Sequence, residues 1–315
     1  MLLRLILLLF FYCFTATSVF GSNPNIDYYL EHSLFLDIDS KGKNIFAVGE
    51  QGLILKSEDN AENWSLSKAN TKVLLTSVFF LNESTGWVTG HQGTILKTVD
   101  AGKSWQVQHG HSKADPLFDI LFINENQGIA IGGYGYSLIS NDGGNHWSRV
   151  NIGEDDYHLY SIASSHNGKY YIAGESGMLF ISDNFSNWKK QTLNHNGTLF
   201  GIQTNNSTVT ATGIRGSIIH SNDNGKNWQR LKSPTSAPLE TILYLNNGQV
   251  LIAGRGGSLL IGNPEKALQF ERILFPVNRS ITKIIEISDK QLLISGNFGI
   301  RKTPVNIIFM STAND

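Results

Sequence analysis

The sequence predicts an all-β protein, a seven-bladed β-propeller of four-stranded antiparallel blades, and two repeated patterns carry that prediction. The first is Gly-x-x-Gly, which recurs at spacings of 41, 42, 42, 39, 41 and 42 residues. The second is a turn of the form [ST]-x-D-x-G-x-x-W, which follows most copies after a short apolar run. Self-similarity near 40 residues is typical of propellers, in which each repeat forms one blade. The seven copies begin at Gly49, Gly90, Gly132, Gly174, Gly213, Gly254 and Gly296.

The second repeat shows how one blade is built. Residues 76–81 form a β-branched and aromatic run, and residues 87–89 and 94–98 are two further short apolar runs separated by a Gly-x-x-Gly turn. A fourth strand is predicted over 105–108. Four short strands joined by tight turns, with no helical period, make one antiparallel blade.

The [ST]-x-D turn has a structural explanation. Asp100 can accept hydrogen bonds from the backbone N–H groups that follow it, Gly102 can take a positive φ, and Trp105 can cover the turn and bury a large aromatic surface. Five of the six tryptophans fall in this slot, which makes them structural residues rather than a platform for stacking sugars. The predicted structural pairs are Asp59/Trp64, Asp100/Trp105, Asp142/Trp147, Asp183/Trp188 and Asp223/Trp228.

The two ends of the chain are predicted to close the ring. The seventh repeat stops after its third strand, near 300–305, and has no Asp turn. Residues 26–32 resemble the fourth strand of a blade, which precedes each new repeat. We therefore expect this N-terminal strand to pair with the last blade, since an unclosed ring would expose two sheet edges.

Residues 1–21 have the character of a secretory signal peptide. One positive charge at Arg4 is followed by an apolar run over 5–14 and by small residues up to Gly21. Cleavage there leaves 22–315 as a single propeller domain, secreted or periplasmic, or in the thylakoid lumen of a photosynthetic host. An uncleaved anchor is the alternative, because the apolar stretch is nearly long enough to span a bilayer.

Composition excludes several kinds of chemistry. Cys13, the only cysteine, lies in the predicted signal peptide, so the mature chain would have no disulfide and no thiolate metal site. With 25 basic and 26 acidic residues, no general attraction to nucleic acid or to anionic membrane is expected. Membrane contact is expected only through the signal segment or a binding partner. We predict no cofactor.

Three of the turns also carry a family resemblance. Residues 98–105, 140–147 and 221–228 resemble Asp-box, or BNR, repeats, which occur in sialidases, xyloglucanases, sortilin-like receptors and photosystem II stability/assembly factors. The combination of this turn with Gly-x-x-Gly in a secreted chain looks most like the last of these, as a bacterial relative. The resemblance implies a non-catalytic propeller that holds a membrane protein or its assembly intermediate on the lumenal or periplasmic side.

The variable residues of the Gly-x-x-Gly loops are the candidate partner-binding surface. Arg215 and Arg255 lie in adjacent blades and echo the arginine-bearing loops of that family; a guanidinium group can grip a carboxylate with two hydrogen bonds. The alternative is that each of these residues is an ordinary exposed turn residue. The predicted set is Glu50, His91, Tyr134, Glu175, Arg215, Arg255 and Asn297.

A carbohydrate-active propeller, lectin-like or a glycosidase, is the alternative function. A sialidase needs an arginine cluster, but no arginine occurs between Gly21 and Arg149. Other glycosidases use two opposed carboxylates, for which Asp155 and Asp156, with Asp115, are the loop candidates. Adjacent acidic loop residues are more often simply solvated, and we predict no catalytic residues.

Histidine is the remaining candidate for chemistry. Five of the nine histidines fall in loops at the Gly-x-x-Gly end of their blades. Imidazole suits zinc, copper or nickel, but a polar recognition rim explains the same pattern. We predict no metal site. The five are His91, His109, His111, His158 and His195.

Overall fold

The predicted seven-bladed propeller is confirmed. A computed structural model describes residues 24–154, 156–263, 269–288 and 291–305, which form seven antiparallel sheets, one per repeat. The first strands of successive blades contact one another around the ring, and the first strand of the last blade contacts that of the first. These innermost strands line a central channel. The predicted signal peptide, 1–21, lies outside the described residues.

Within each blade the strands follow chain order from the channel outward. Blade 1 consists of β1 (Phe35–Lys41), β2 (Asn44–Gly49), β3 (Ile54–Ser57) and β4 (Ser65–Ser67). Blade 2 consists of β5 (Leu75–Phe80), β6 (Gly86–Gly90), β7 (Ile95–Thr98) and β8 (Gln106–His109). Blade 3 consists of β9 (Leu117–Phe122), β10 (Gly128–Gly132), β11 (Ser137–Ser140) and β12 (Ser148–Arg149). Blades 4 and 5 consist of β13 (Leu159–Ser164), β14 (Tyr170–Gly174), β15 (Leu179–Ser182) and β16 (Lys189–Lys190); and β17 (Leu199–Asn205), β18 (Thr208–Gly213), β19 (Ile218–Ser221) and β20 (Gln229–Leu231). Blades 6 and 7 consist of β21 (Leu239–Tyr244), β22 (Val250–Gly254), β23 (Leu259–Asn263) and β24 (Gln269–Ile273); and β25 (Ile281–Ser288), β26 (Gln291–Gly296) and β27 (Gly299–Pro304).

The core lies between neighbouring blades. The second strand of each blade is covered on both faces, so β2 and β10 are buried along almost their whole length. Between blades 1 and 2 the rings of Phe46 and Phe80 stack with centroids 3.9 Å apart. This packing explains why the second strands read as continuous apolar runs rather than as alternating ones.

The prediction that an N-terminal strand closes the ring is wrong, because that segment is a helix, α1 (Pro24–His32). Pro24 starts the helix, where its missing N–H costs nothing. Ile26, Tyr29 and Leu30 are spaced three and four residues apart, which gives one apolar face and a helical period. That face packs against β27 and joins the core of blade 1. No helix within the described ranges is both long enough and apolar enough to cross a membrane.

Blades 1 and 7 are joined by side chains. The Thr282 hydroxyl donates to the carbonyl oxygen of Phe35 at 2.6 Å. Lys283 Nζ lies 2.8 Å from Asp37 Oδ1 inside the channel. On the outer side, Lys302 Nζ of blade 7 lies 2.5 Å from a carboxylate oxygen of Glu62 in blade 1. Side-chain contacts inside the channel and at the outer side of the blades therefore close the ring without a shared strand.

The Asp turns join the third and fourth strands, and the turn of blade 2 shows their hydrogen bonds. Asp100 Oδ1 accepts from the Ser104 N–H at 2.9 Å and from the Thr98 hydroxyl at 2.8 Å. The side-chain and backbone hydrogen bonds of Ser104 lower the pKa of Asp100 to about 2. The carboxylate therefore organises the turn in its ionised form.

The five turn tryptophans differ in how deeply they are buried. Trp105 is 6 % exposed, because its ring lies between blades 1 and 2 and its indole N–H donates to Ser67 Oγ of blade 1 at 2.9 Å. In three of the other turns the indole N–H donates to a carbonyl of the same turn instead, as Trp147 does to Gly144 at 3.1 Å. A ring held against its own turn at the outer edge of a blade keeps part of its surface in solvent.

The other four tryptophans of this slot keep part of their surface in solvent. Each of the four is half-buried and packs only from the side against an apolar cluster between blades. Their role remains structural, since the ring contacts belong to the core and not to an open platform. The four are Trp64, Trp147, Trp188 and Trp228.

The fourth turn departs from the predicted pairing. Asp183 is exposed and its carboxylate accepts from Lys169 Nζ at 2.8 Å, outside the turn. Asn184 holds the turn instead: its Oδ1 accepts from the N–H groups of Ser186 and Asn187, both at 2.9 Å. The oxygen that organises this turn must lie two residues after the Ser or Thr, which is the position of Asn184 relative to Ser182. Asp183 is one residue too early.

Candidate functional site

Six of the seven Gly-x-x-Gly loops fold into the same tight turn on one face of the ring. In each of the six, the N–H after the first glycine donates to the carbonyl that precedes the innermost strand, as Glu175 N does to His158 O at 2.8 Å. At Gly132 an added Cβ would lie 2.0 Å from Pro116 O, so no side chain fits there. The second variable residue takes the left-handed conformation, with φ of 55° at Arg215. The loop that starts at Gly296 is tighter, since that residue pairs directly with Gly299.

Two of the predicted partner-binding residues face inward. Glu50 and Glu175, both half-buried, are the first variable residues of their loops. Glu50 Oε1 accepts from the Leu34 N–H at 3.1 Å, and Glu175 Oε2 accepts from the His158 N–H at 3.3 Å. These carboxylates hold the chain where it enters the innermost strand, so they are not free acceptors for a ligand.

Three other predicted residues are exposed at the loop tips. His91 and Asn297 lie in the loops of blades 2 and 7, far from each other in chain order, and the Asn297 carbonyl accepts from Arg279 at 3.4 Å. Tyr134 is 56 % exposed, and its ring meets that of His158 edge-to-face at 4.5 Å. Only Tyr134 is part of a larger cluster.

The two predicted arginines differ in their charge balance. Arg255 Nε lies 2.8 Å from Glu240 Oε1, and the Arg255 side chain is 59 % exposed. Arg215 is exposed and makes no ion pair or hydrogen bond with any described residue. Arg215 therefore presents an unneutralised guanidinium group on this face, next to a partly neutralised one.

An aromatic cluster at the mouth of the channel was missed by the sequence reasoning. Every innermost strand has a β-bulge after its first residue; in blade 3, for example, Leu117 pairs with Gly132 and Asp119 with Ile131, which leaves Phe118 unpaired. The bulged residues line the channel mouth on the Gly-x-x-Gly side. In chain order they are Leu36, Thr76, Phe118, Tyr160, Phe200, Glu240 and Thr282.

Three consecutive bulges are aromatic, and we call Phe118, Tyr160 and Phe200 the aromatic arc. The rings of Phe118 and Tyr160 stack with centroids 5.4 Å apart, and Tyr160 meets Phe200 edge-to-face at 5.2 Å. All three are half-buried. His158 extends the arc toward Tyr134, because its ring centroid is 6.0 Å from both Phe118 and Tyr160. Burial, followed by the nearby charge of Glu175, raises the pKa of Tyr160.

Below the mouth the channel is charged. Ser77 Oγ bridges Asp37 Oδ2 at 2.8 Å and Asp119 Oδ1 at 2.9 Å, and Lys283 faces the same pair. Burial, followed by the charge of Asp37, raises the pKa of Asp119 to about 6; burial likewise raises that of Asp39 to about 6. Burial lowers the pKa of Lys283, but the charge and hydrogen bond of Asp37 outweigh it and hold the pKa above its usual value.

The residues considered for catalysis or metal binding do not assemble within the described ranges. Asp156 is exposed, Asp115 is half-buried, and Asp155 lies outside the described residues. No group of three or more His, Cys, Asp or Glu side chains among the described residues is placed to share a metal ion. His109 and His111 have ring centroids 6.3 Å apart, but His109 Nδ1 is bonded to the Gly93 carbonyl at 2.9 Å.

Two family models match parts of the chain. Residues 61–152 match the model described as photosynthesis system II assembly factor YCF48, and residues 121–271 match a DUF6242 β-propeller domain. No curated protein matches the chain in sequence.

Solved structures share the fold over nearly the whole ring. YCF48 bound to D1 peptide has 20 % identity and a TM-score of 0.73, with 87 % of this chain and 94 % of that chain covered. YCF48 from Cyanidioschyzon merolae has 17 % identity and a TM-score of 0.70, covering 86 % and 95 %. Virginiamycin B lyase from Staphylococcus aureus has 9 % identity and a TM-score of 0.76, covering 87 % and 96 %. At these identities the likeness concerns the fold.

Fold and turns together define a seven-bladed β-propeller with Asp-box turns on one face and Gly-x-x-Gly loops on the other. Its second and third blades carry the repeats of the YCF48 model. Over residues 61–152 the chain is similar to the photosynthesis system II assembly factor YCF48 family, the resemblance that the turn and Gly-x-x-Gly motifs indicated.

Proposed function

We propose that this chain is a non-catalytic propeller that binds a protein partner through its Gly-x-x-Gly face, as an assembly or stability factor for a membrane protein complex. The observation that carries the proposal is Arg215, an exposed guanidinium group without a partner among the described residues, held on a loop of fixed geometry. A guanidinium group recognises carboxylates with two parallel hydrogen bonds. An acidic peptide segment is the ligand that this surface suits.

Arg255 supports the same assignment in a secondary way. It already bonds Glu240, so a carboxylate of the partner would have to share or displace that contact. We therefore assign most of the binding energy to Arg215. Glu50 and Glu175, whose carboxylates accept backbone hydrogen bonds, shape the loops instead of contacting the partner.

The match to the YCF48 model and the relative described as YCF48 bound to D1 peptide support a protein ligand. We extend that to a membrane protein or its assembly intermediate as the partner. The segment 1–21 supports export, so we place the protein outside the cytoplasm, secreted or periplasmic, with the propeller meeting its partner at the membrane surface. Fractionation of cells that make the full chain tests this location; recovery in the cytoplasm would contradict it.

The experiment for partner binding is crosslinking and affinity capture of the full chain in its native host. Arg215→Ala should weaken capture about tenfold or more, since a charge-assisted hydrogen bond contributes about 1.5–3 kcal/mol. Arg255→Ala should have a smaller effect. Arg272→Ala is the matched control, because Arg272 is an exposed arginine on the outermost strand of blade 6. An Arg215→Ala/Arg255→Ala variant that captures its partners at full strength would rule out this face.

A further inference from the structure

We propose that the aromatic arc, Phe118, Tyr160 and Phe200, is the part of this face that selects the partner, by receiving one apolar side chain of an acidic peptide segment held at Arg215. This inference rests on the proposed function and adds the specificity determinant to it. It assigns a binding role to three residues for which the repeat pattern offers no structural need.

In blades 2 and 7 the bulged residue is a threonine that links neighbouring blades, and the residues of the arc lack this link. Thr76 of blade 2 donates its hydroxyl to the Leu117 carbonyl of blade 3 at 2.7 Å, and Thr282 of blade 7 donates to Phe35 of blade 1 at 2.6 Å. A threonine at this position therefore links neighbouring blades. Phenylalanine and tyrosine in the arc make no such bond.

In blade 5 the presence of Phe200 instead of a threonine leaves the buried Thr212 hydroxyl unsatisfied. The second strands of blades 2 and 7 carry a hydroxyl beside the bulged threonine, with Thr89 Oγ1 3.3 Å from Thr76 Oγ1 and Ser295 Oγ 3.2 Å from Thr282 Oγ1. Thr212 occupies the same position in blade 5, is 0 % exposed, and its hydroxyl has no partner among the described residues. A buried unsatisfied hydroxyl is destabilising.

Phe200 stands where that partner would be, so blade 5 lacks the hydrogen bond that a threonine would supply. Residues that break a local rule at a cost to stability are those expected at functional sites.

The chemistry of the arc fits an apolar anchor. Its rings are half-buried and fixed by mutual contacts of 5.4 and 5.2 Å, so they offer a preformed surface that loses little conformational freedom on binding. Clusters of aromatic residues beside an arginine near the centre of a face are typical of binding hot spots.

The positive charge of Arg215 favours an acidic occupant. Arg215 belongs to the same blade as Phe200, and the chain at this point is tied together because Ile214 N donates to Thr198 O at 3.0 Å. The Arg215 loop therefore lies on the same face and in the same blade as Phe200, at one end of the arc. An extended peptide segment that carries an Asp or Glu next to an aromatic or branched aliphatic residue would contact both Arg215 and the aromatic arc.

The test compares Phe200→Thr with the unmodified chain. Threonine at this position can bond Thr212 and the Leu239 carbonyl, as Thr76 and Thr282 do in their blades, so the variant should melt at the same temperature or higher. Leu36→Thr is the matched control, because it is the same bulge position on the opposite side of the mouth.

The probe is a random-peptide library displayed against the full chain, followed by fluorescence polarisation with the selected peptides made synthetically. We expect the selected peptides to share an Asp or Glu and an aromatic or branched aliphatic residue. Phe200→Thr should weaken their binding at least tenfold while Leu36→Thr changes it less than twofold.

The alternatives are distinguishable. Peptides weakened by Arg215→Ala but not by Phe200→Thr overturn the role of the arc and leave the proposed function in place. Peptides weakened by neither variant, or selection of no peptide, overturn both. Binding of an oligosaccharide panel that Phe200→Thr abolishes overturns the peptide assignment and makes the arc a sugar platform.

Discussion

Lys283→Met tests how the channel charges hold the ring closed. Lys283 of blade 7 lies 2.8 Å from Asp37 Oδ1 of blade 1, a separation worth about 6 kcal/mol of Coulomb energy at an effective dielectric constant of about 20. Removing one partner of a buried pair costs about 3–5 kcal/mol, and of an exposed pair about 0–1 kcal/mol. The Lys283 side chain is 29 % exposed, so we expect an intermediate loss of about 2 kcal/mol at pH 7.5.

The loss should depend on pH. Asp39 and Asp119 have folded-state pKa values of about 6, raised from 3.8, so the folded protein takes up protons that the unfolded chain does not as the pH falls through 6. Acidification from pH 7.5 to 5 therefore favours the folded state through these groups. Without Lys283 both pKa values rise further and more protons are taken up. The variant should thus recover stability at pH 5, with a deficit below about 1 kcal/mol.

The assay is urea unfolding followed by intrinsic fluorescence at pH 7.5 and pH 5. Lys302→Met is the matched control, since Lys302 also reaches from blade 7 to blade 1 and its side chain is 28 % exposed, but its partner Glu62 is 68 % exposed. We expect the control to lose less than about 1 kcal/mol at either pH. An equal loss for Lys283→Met at both pH values would refute the reasoning, because it would trace the effect to the alkyl chain of lysine.

Two further predictions concern the core. Thr212→Val should stabilise the protein by about 1 kcal/mol because it removes the unsatisfied buried hydroxyl. Thr210→Val, on the same strand, should destabilise the protein because Thr210 Oγ1 bonds His220 Nδ1 at 2.9 Å and Tyr244 Oη at 2.6 Å. Denaturant midpoints measure both changes, and a destabilising Thr212→Val would show that the Thr212 hydroxyl is satisfied. Ile26→Ala should destabilise the protein by about 2–3 kcal/mol because Ile26 is 7 % exposed between α1 and the joint of blades 1 and 7. Glu31→Ala, at an exposed position of the same helix, is the control in the same thermal melt. Equal melting temperatures for the two variants would mean that α1 does not contribute to ring closure.

The blade number could be predicted because the repeat marks positions with hard steric requirements. A Cβ at Gly49 would lie 1.9 Å from the Leu34 carbonyl oxygen, so glycine is needed at the end of the second strand. The role of α1 was harder to predict, because Tyr28 and Tyr29 favour strands when read locally. Its helical face becomes evident only when Ile26 and Leu30 are placed against blade 7.

The candidate site was predicted only in part. The Gly-x-x-Gly loops directed attention to Arg215 correctly as an exposed residue, but loop position alone could not show that Glu50 and Glu175 turn inward. The aromatic arc was hidden because a β-bulge breaks the alternation of a strand: Phe118 and Asp119, adjacent in sequence, both face the channel. A signal existed in the repeat itself, since 117–118, 159–160 and 199–200 are each leucine followed by an aromatic residue.

Departure from the repeat does not identify a functional residue by itself. Ala61 replaces the glycine of the first Asp turn and is held at a φ of 64°, a conformation that costs a residue with a Cβ about 1–2 kcal/mol. Ala61 is 9 % exposed and lies on the face opposite the Gly-x-x-Gly loops, so its strain lies away from the proposed binding face. Phe200 combines three features. It differs from the threonine found in blades 2 and 7, and it leaves the Thr212 hydroxyl without a hydrogen-bond partner among the described residues. It also belongs to a half-buried aromatic cluster on the same face as Arg215, which has no partner among the described residues. The proposed binding role of the arc accounts for the residue at Phe200, whereas no such role is proposed for Ala61.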